Sequence, residues 1–106
     1  MLEVEQTKQY INTLKEQIDL KKKLERLQSN TDFKEIITDN YLNKFIVTSM
    51  KASVMYKEHS EDFVKEAEAA AKFNYWLQSV ITQGTRAEEE LPKQEQYLIE
   101  LQTGAQ

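Results

Sequence analysis

Residues 63–84, FVKEAEAAAKFNYWLQSVITQG, decide the fold class. With about 100° between successive residues, Phe63, Ala67, Ala70, Phe73, Leu77, Val80, Ile81 and Gly84 fall along one wide stripe, with Asn74 inside it. Such a stripe marks an amphipathic helix with one face against a core. Ala67 and Ala70 permit close approach of a neighbouring helix, and Phe63, Phe73 and Leu77 supply bulk. Gly84 sits inside the helical pattern, where close packing is the usual reason for a glycine. Tyr75 and Trp76 fall outside the stripe, on its two flanks. They either anchor a partner, as aromatic side chains do at interfaces, or close the far side of a three-helix core.

Downstream, Glu88-Glu89-Glu90 keeps helix propensity while remaining solvated. Pro92 then lacks the N–H that would bond back to the Glu88 carbonyl, which predicts a kink or a restart. Tyr97, Leu98 and Leu101 give a last amphipathic stretch before a tail, residues 103–106, that should fray. Upstream, Ser60 reads as a cap, with Glu61 and Asp62 against the positive end of the helix dipole.

An earlier helix starts at Ser29-Asn30-Thr31-Asp32, whose short polar side chains favour caps over helix interiors. Asp32 or Thr31 can cap it, and in the Asp32 reading Glu35 completes a capping box. Phe33, Ile36, Ile37 and Tyr41 share a face, a kink or short break is expected over Asn40–Asn43, and Ile46, Val47, Met50 and Val54 rebuild the face beyond it. The first helix carries Val4, Ile11, Leu14 and Ile18 on one narrow stripe with heptad spacing at 4, 11 and 18. Leu20, Leu24 and Leu27 lie nearly opposite. A bend near residues 19–23 could realign the two stripes. With no glycine or proline between Glu3 and Asn30 to supply that bend, a straight helix serving two neighbours is the favoured reading. Some 24 residues at about 1.5 Å each make roughly 36 Å, longer than a small core is wide, so the N-terminal half is expected to project.

The expected elements are helices over 3–28, 32–57, 61–90 and 93–102, in one all-α domain: a small bundle or hairpin with a long projecting N-terminal helix. Composition agrees. A chain of 106 residues holds one small core at most. Two glycines and one proline leave little turn chemistry for hairpins, and the lack of cysteine removes disulfide frameworks, zinc knuckles and thiol nucleophiles. No apolar run reaches the roughly 18 residues of a membrane span, and residues 1–10 carry no signal-peptide pattern, so a soluble intracellular protein is expected.

Candidate chemistry is sparse. His59 falls in an expected loop, with no serine and acid constellation placed near it. Asp32, Glu35 and Asp39 could share a helix face, yet no calcium-loop or two-histidine motif accompanies them and capping accounts for the first two. Gly84 and Gly104 stand too far apart to cradle a phosphate. No catalytic residue, cofactor or metal is therefore expected. Lys21, Lys22, Lys23 and Arg26 form the one basic cluster, interleaved with Asp19 and Glu25, and a solvated helix face explains it as well as nucleic acid does. The net charge of −4 lies wholly in residues 51–106, which hold six basic and ten acidic side chains. What remains is interaction surface: the Val4, Ile11, Leu14, Ile18 stripe, for self-association or docking on a larger partner rather than intramolecular packing, and Tyr75 with Trp76.

Taken together, Leu24-Glu25-Arg26-Leu27, Asn30 with Asp32-Phe33-Lys34, Tyr41-Leu42, Gly84 with Arg86-Ala87-Glu88, and Glu90-Leu91 resemble a family of small helical proteins encoded by tailed bacteriophages. The resemblance covers roughly Leu20 to Leu91, and Asn30 to Lys34 is its most distinctive piece. Two positions depart from the pattern: Tyr-Leu stands at 41–42 where the family has two aromatics, and Pro92 interrupts a stretch the family keeps helical. The resemblance implies a phage product, often encoded near virion genes and mostly without assigned activity. It supplies no catalytic residues. The expected function is thus a non-enzymatic, oligomeric structural or assembly protein, in the virion or the host cytoplasm, contacting capsid, portal or tail proteins or copies of itself. A regulator that binds a host protein is the alternative.

Overall fold

A computed structural model describes residues 2–104. The fold is all-α: α1 is Leu2–Gln28, α2 covers residues 31–55, and α3 is Ser60–Thr103. No strand occurs among the described residues.

The break between α1 and α2 is closed by Asn30. Its backbone is extended, at φ −71° and ψ 128°, and its Oδ1 accepts the Phe33 N–H at 3.0 Å. One of the donors left open at a helix start is satisfied in this way. The cap is therefore Asn30 rather than Thr31 or Asp32. Phe33 takes the third helical position, so no capping box forms through Glu35.

Helix α2 changes its winding. An α-helical turn, Thr31–Phe33, opens into π-helical winding over Lys34–Phe45 and returns to α-helix over Ile46–Met55. Asn40 Nδ2 donates to the Glu35 carbonyl at 2.6 Å, and Asn43 Nδ2 to the Thr38 carbonyl at 2.8 Å, each reaching five residues back. The expected kink at Asn40–Asn43 is thus a widened but unbroken helix. Such winding is usually confined to single turns, whereas here it lasts 12 residues. Inward side chains accordingly recur every four to five positions, at Phe33, Ile37, Tyr41 with Leu42, and Ile46. Beyond Ile46 the inward positions fall on Ser49 and Ser53, which are 4% and 7% exposed. The expected face of Val47, Met50 and Val54 is turned outward instead, at 52%, 45% and 70% exposure. A wheel drawn at α-helical spacing omits the phase shift that the widened turns introduce.

After a 3₁₀ turn, Lys57–His59, helix α3 begins at Ser60, whose backbone is already helical and so does not cap. The helix then runs unbroken through Pro92 to Thr103. The expected restart after Glu90 does not occur. Glu88 and Pro92 are both exposed, so water can replace the missing donor at the Glu88 carbonyl. Gly104, at φ 71°, ends the helix in the left-handed conformation favoured at that position. Thr103 is helical, and the rest of the expected frayed tail beyond Gly104 lies outside the described residues.

The chain forms two compact units, Met1–Leu24 with Ser79–Gln106, and Glu25–Gln78. The first is an antiparallel helix pair. Tyr97 donates its hydroxyl to Glu3 Oε1 at 2.8 Å, and Lys21 Nζ donates to Glu88. Val4, Thr7, Ile11 and Leu14 are buried from α1, and Val80, Gly84 and Ala87 from α3, at the alternating three- and four-residue steps of a coiled coil. The N-terminal half of α1 therefore does not project. Because α3 continues past Pro92, there is a helix for it to lie along.

The second unit has a narrow core in which Leu42, Ser49 and Ser53 of α2 are buried, as are Ala67, Ala70 and Leu77 of α3. Ser53 satisfies its hydroxyl on the Met50 carbonyl at 2.6 Å. Small side chains make this core. Met50 and Phe73, which α-helical spacing puts on apolar faces, are 45% and 37% exposed.

Candidate functional site

The sequence singled out six interaction residues, and the structure divides them. Val4, Ile11 and Leu14 are buried, at 9%, 6% and 4% exposure, and Ile18 is partly buried. Full burial of such a side chain contributes about 1.5–3 kcal/mol, which here goes into holding the helix pair together. Their stripe is the seam of the first unit. It is not an open docking face. Tyr75 and Trp76, by contrast, lie on the outside of α3 at 75% and 54% exposure.

Trp76 does not stand alone. Its ring lies 6.5 Å from that of Phe73 at 22°, Phe73 lies 6.3 Å from Tyr41, and Tyr41 lies 5.5 Å from Phe45. Four rings thus run from α3 across to α2 within the second unit. Offset or tilted ring pairs at such spacings attract beyond their area of contact, by about 0.5–1.5 kcal/mol per pair. Phe45 and Phe73 are each 37% exposed, so the chain of rings is a surface feature with one edge in water. Beside it, Ile36, Tyr41, Lys44 and Phe45 line a shallow groove of about 390 Å³ on α2. Sequence reading placed Tyr41 on an inward face and left Phe45 unassigned. At the widened spacing of residues 34–45 both take part in the exposed ring chain.

The outer side of α2 is a second feature that the sequence reading placed in the core. Val47, Val54 and Met55 are 52%, 70% and 72% exposed, and Lys51 lies between them on the helix surface. A signal was available in the sequence. No acidic residue stands between Asp39 and Glu58, a stretch that contains Lys44, Lys51 and Lys57.

In the first unit, Lys21 and Lys23 have carboxylate partners: Glu88 for Lys21, and Asp19 at 2.9 Å for Lys23. The Lys21 side chain is 15% exposed. Half of the basic cluster is thereby engaged within the chain. Tyr97 is held above the ordinary phenol pKa, first by donating to the Glu3 carboxylate and also by the charges of Glu3 and Glu100. Asp32, Glu35 and Asp39 form no metal-holding group, and none exists among the described residues. His59 lies in the exposed 3₁₀ turn. No described helix is long and apolar enough to cross a membrane.

No protein-family profile matches the chain, and no curated protein or solved structure does either.

Proposed function

We propose that this chain is a non-enzymatic structural or assembly protein of a tailed-bacteriophage particle, acting through contacts with capsid, portal or tail proteins. The observation that carries the interaction role is the exposed Tyr75–Trp76 pair, with Trp76 braced on Phe73 at 6.5 Å. Aromatic side chains held rigid by neighbours lose little freedom on docking, which is why Trp and Tyr dominate binding energy at interfaces. Support for the phage setting is the resemblance at Asn30 and Asp32-Phe33-Lys34. The Val4, Ile11, Leu14, Ile18 stripe has no part in the proposal, because its burial within the helix pair leaves it no free face.

Mass spectrometry of purified virions and of assembly intermediates tests the reading. Recovery of the chain in either supports it, and absence from both overturns it. The acidic balance of residues 51–106 together with the same aromatic pair favours a second reading, a phage regulator that binds a host protein. Retention of a host protein from lysate, lost on Trp76→Ala, would select that one.

A further inference from the structure

We propose that the outer face of α2 over residues 44–55 docks an acidic amphipathic helix of a partner protein. The inference stands apart from the phage reading and from the aromatic pair on α3. Helix α2 buries Ser49 and Ser53 and exposes Val47, Met50, Val54 and Met55, between 45% and 72%. The small inward side chains are used by the chain's own core. The large apolar ones are not.

Charge identifies the occupant. Lys44 and Lys51 lie on the same outer side of α2 as these apolar side chains, Lys57 follows in the 3₁₀ turn beyond Tyr56, and all three are exposed. Among the described residues none of the three has a carboxylate within ion-pair distance. Lys15, Lys22, Lys34, Lys65, Lys72 and Lys93 are likewise without an ion-pair partner among the described residues, so what sets this stretch apart is that no acidic residue stands between Asp39 and Glu58 to offset its lysines. An apolar strip with unpaired lysines along it complements a helix that presents Leu or Ile at three- and four-residue steps with Glu or Asp beside them. A second copy meeting this face with the same face would set lysine against lysine, which opposes pairing. An anionic membrane recruits clusters of about four to eight basic residues. Here three lysines are followed directly by Glu58, Glu61 and Asp62, so a protein helix fits better than a lipid surface.

The test uses the full chain and two synthetic helical peptides, both with leucine at heptad a and d positions. One carries glutamate at e and g, its twin lysine. Fluorescence anisotropy should show the acidic peptide binding about tenfold or more tightly than its twin. Val47→Asp with Val54→Asp should abolish binding while leaving the thermal midpoint of the free chain unchanged. Lys44→Glu with Lys51→Glu should reverse the preference between the twins. Equal affinity for the twins, no binding to either, or indifference to these substitutions overturns the proposal. A large fall in thermal midpoint for the Val47, Val54 variant would place those side chains in the chain's own core and overturn it too. Light scattering that finds a dimer in the parent and a monomer in that variant would assign the face to a second copy. Equally strong dependence of phosphatidylserine vesicle binding on the same residues would assign it to lipid.

Discussion

Lys21 lays the root of its side chain against Gly84, so that a β-carbon built on the glycine would meet Lys21 Cγ at 2.9 Å and Cδ at 2.8 Å, with Cβ nearer still. The ammonium of the same lysine reaches Glu88, one helical turn further along α3. Glycine at 84 thus sets how closely the two helices of the first unit approach. Gly84→Ala should destabilise the chain. Alanine gains up to about 1 kcal/mol of helix propensity, whereas overpacking costs about 1–3 kcal/mol. The Cβ of Lys21 cannot swing aside as a side-chain tip can. A net loss of about 1 kcal/mol is expected in urea unfolding followed by circular dichroism, and a gain in stability would contradict the packing described.

Leu14 provides a contrast with the outer face of α2. At 4% exposure, Leu14→Ala should cost about 2–5 kcal/mol through lost burial and the cavity left behind. Val54→Asp, at a position 70% exposed, should change stability by no more than about 0.5 kcal/mol. Thermal melts of the two variants measured side by side would show whether seam and surface have been told apart.

Pro92 lies in the interior of a continuous helix and is exposed. Replacing it with alanine returns a donor to the Glu88 carbonyl and removes a clash, while disturbing no buried side chain. Pro92→Ala should raise stability by about 1–3 kcal/mol. An unchanged or lower unfolding midpoint would mean that the helix is broken at this point.

Tyr97 should ionise at higher pH than a free phenol because its hydroxyl donates to Glu3 and the carboxylate opposes a phenolate. The folded pKa is raised above the unfolded one, so the folded chain holds this proton more tightly. Its contribution to stability is complete below pH about 10, the ordinary phenol value, and is lost as pH rises through the folded pKa. Ultraviolet difference titration of the parent and of Glu3→Gln checks this: the variant should bring Tyr97 back toward the ordinary value. Identical titrations would show that the contact has no weight in solution.

Much of the architecture was legible because helical periodicity survives averaging. The Phe63–Gly84 stripe and the uninterrupted α1 both follow from apolar spacing and from where glycine and proline are missing. The heptad spacing of Val4, Ile11 and Ile18 was legible too, but its partner was not. An arm was expected because a helix of roughly 36 Å exceeds the width of a small core, whereas α3, unbroken to Thr103, is long enough to lie along the stripe. The cap shows the same limit at smaller scale. Asn30, Thr31 and Asp32 all carry suitable oxygens, and only the backbone of Asn30, extended at ψ 128°, decides among them. Tyr75 and Trp76 were placed outside the main stripe by position alone, whereas Phe45 joins the exposed rings through a winding that no α-helical wheel contains.

That winding governs more than local geometry. Over the 12 residues of Lys34–Phe45, the difference between the widened and the ordinary pitch adds up to roughly 200° of rotation. Were the segment to rewind as plain α-helix with Phe33 held in place, residues 46–55 would swing past half a turn, carrying Val47 and Val54 inward and Ser49 and Ser53 out. A chain about two residues shorter in this stretch could keep both flanking surfaces where they are with ordinary pitch. The length of the segment, more than the identity of its side chains, therefore acts as the clock setting of the helix, and inserting or deleting about two residues at the widened pitch would turn residues 46–55 by nearly half a turn, exchanging its two edges without altering a residue on either.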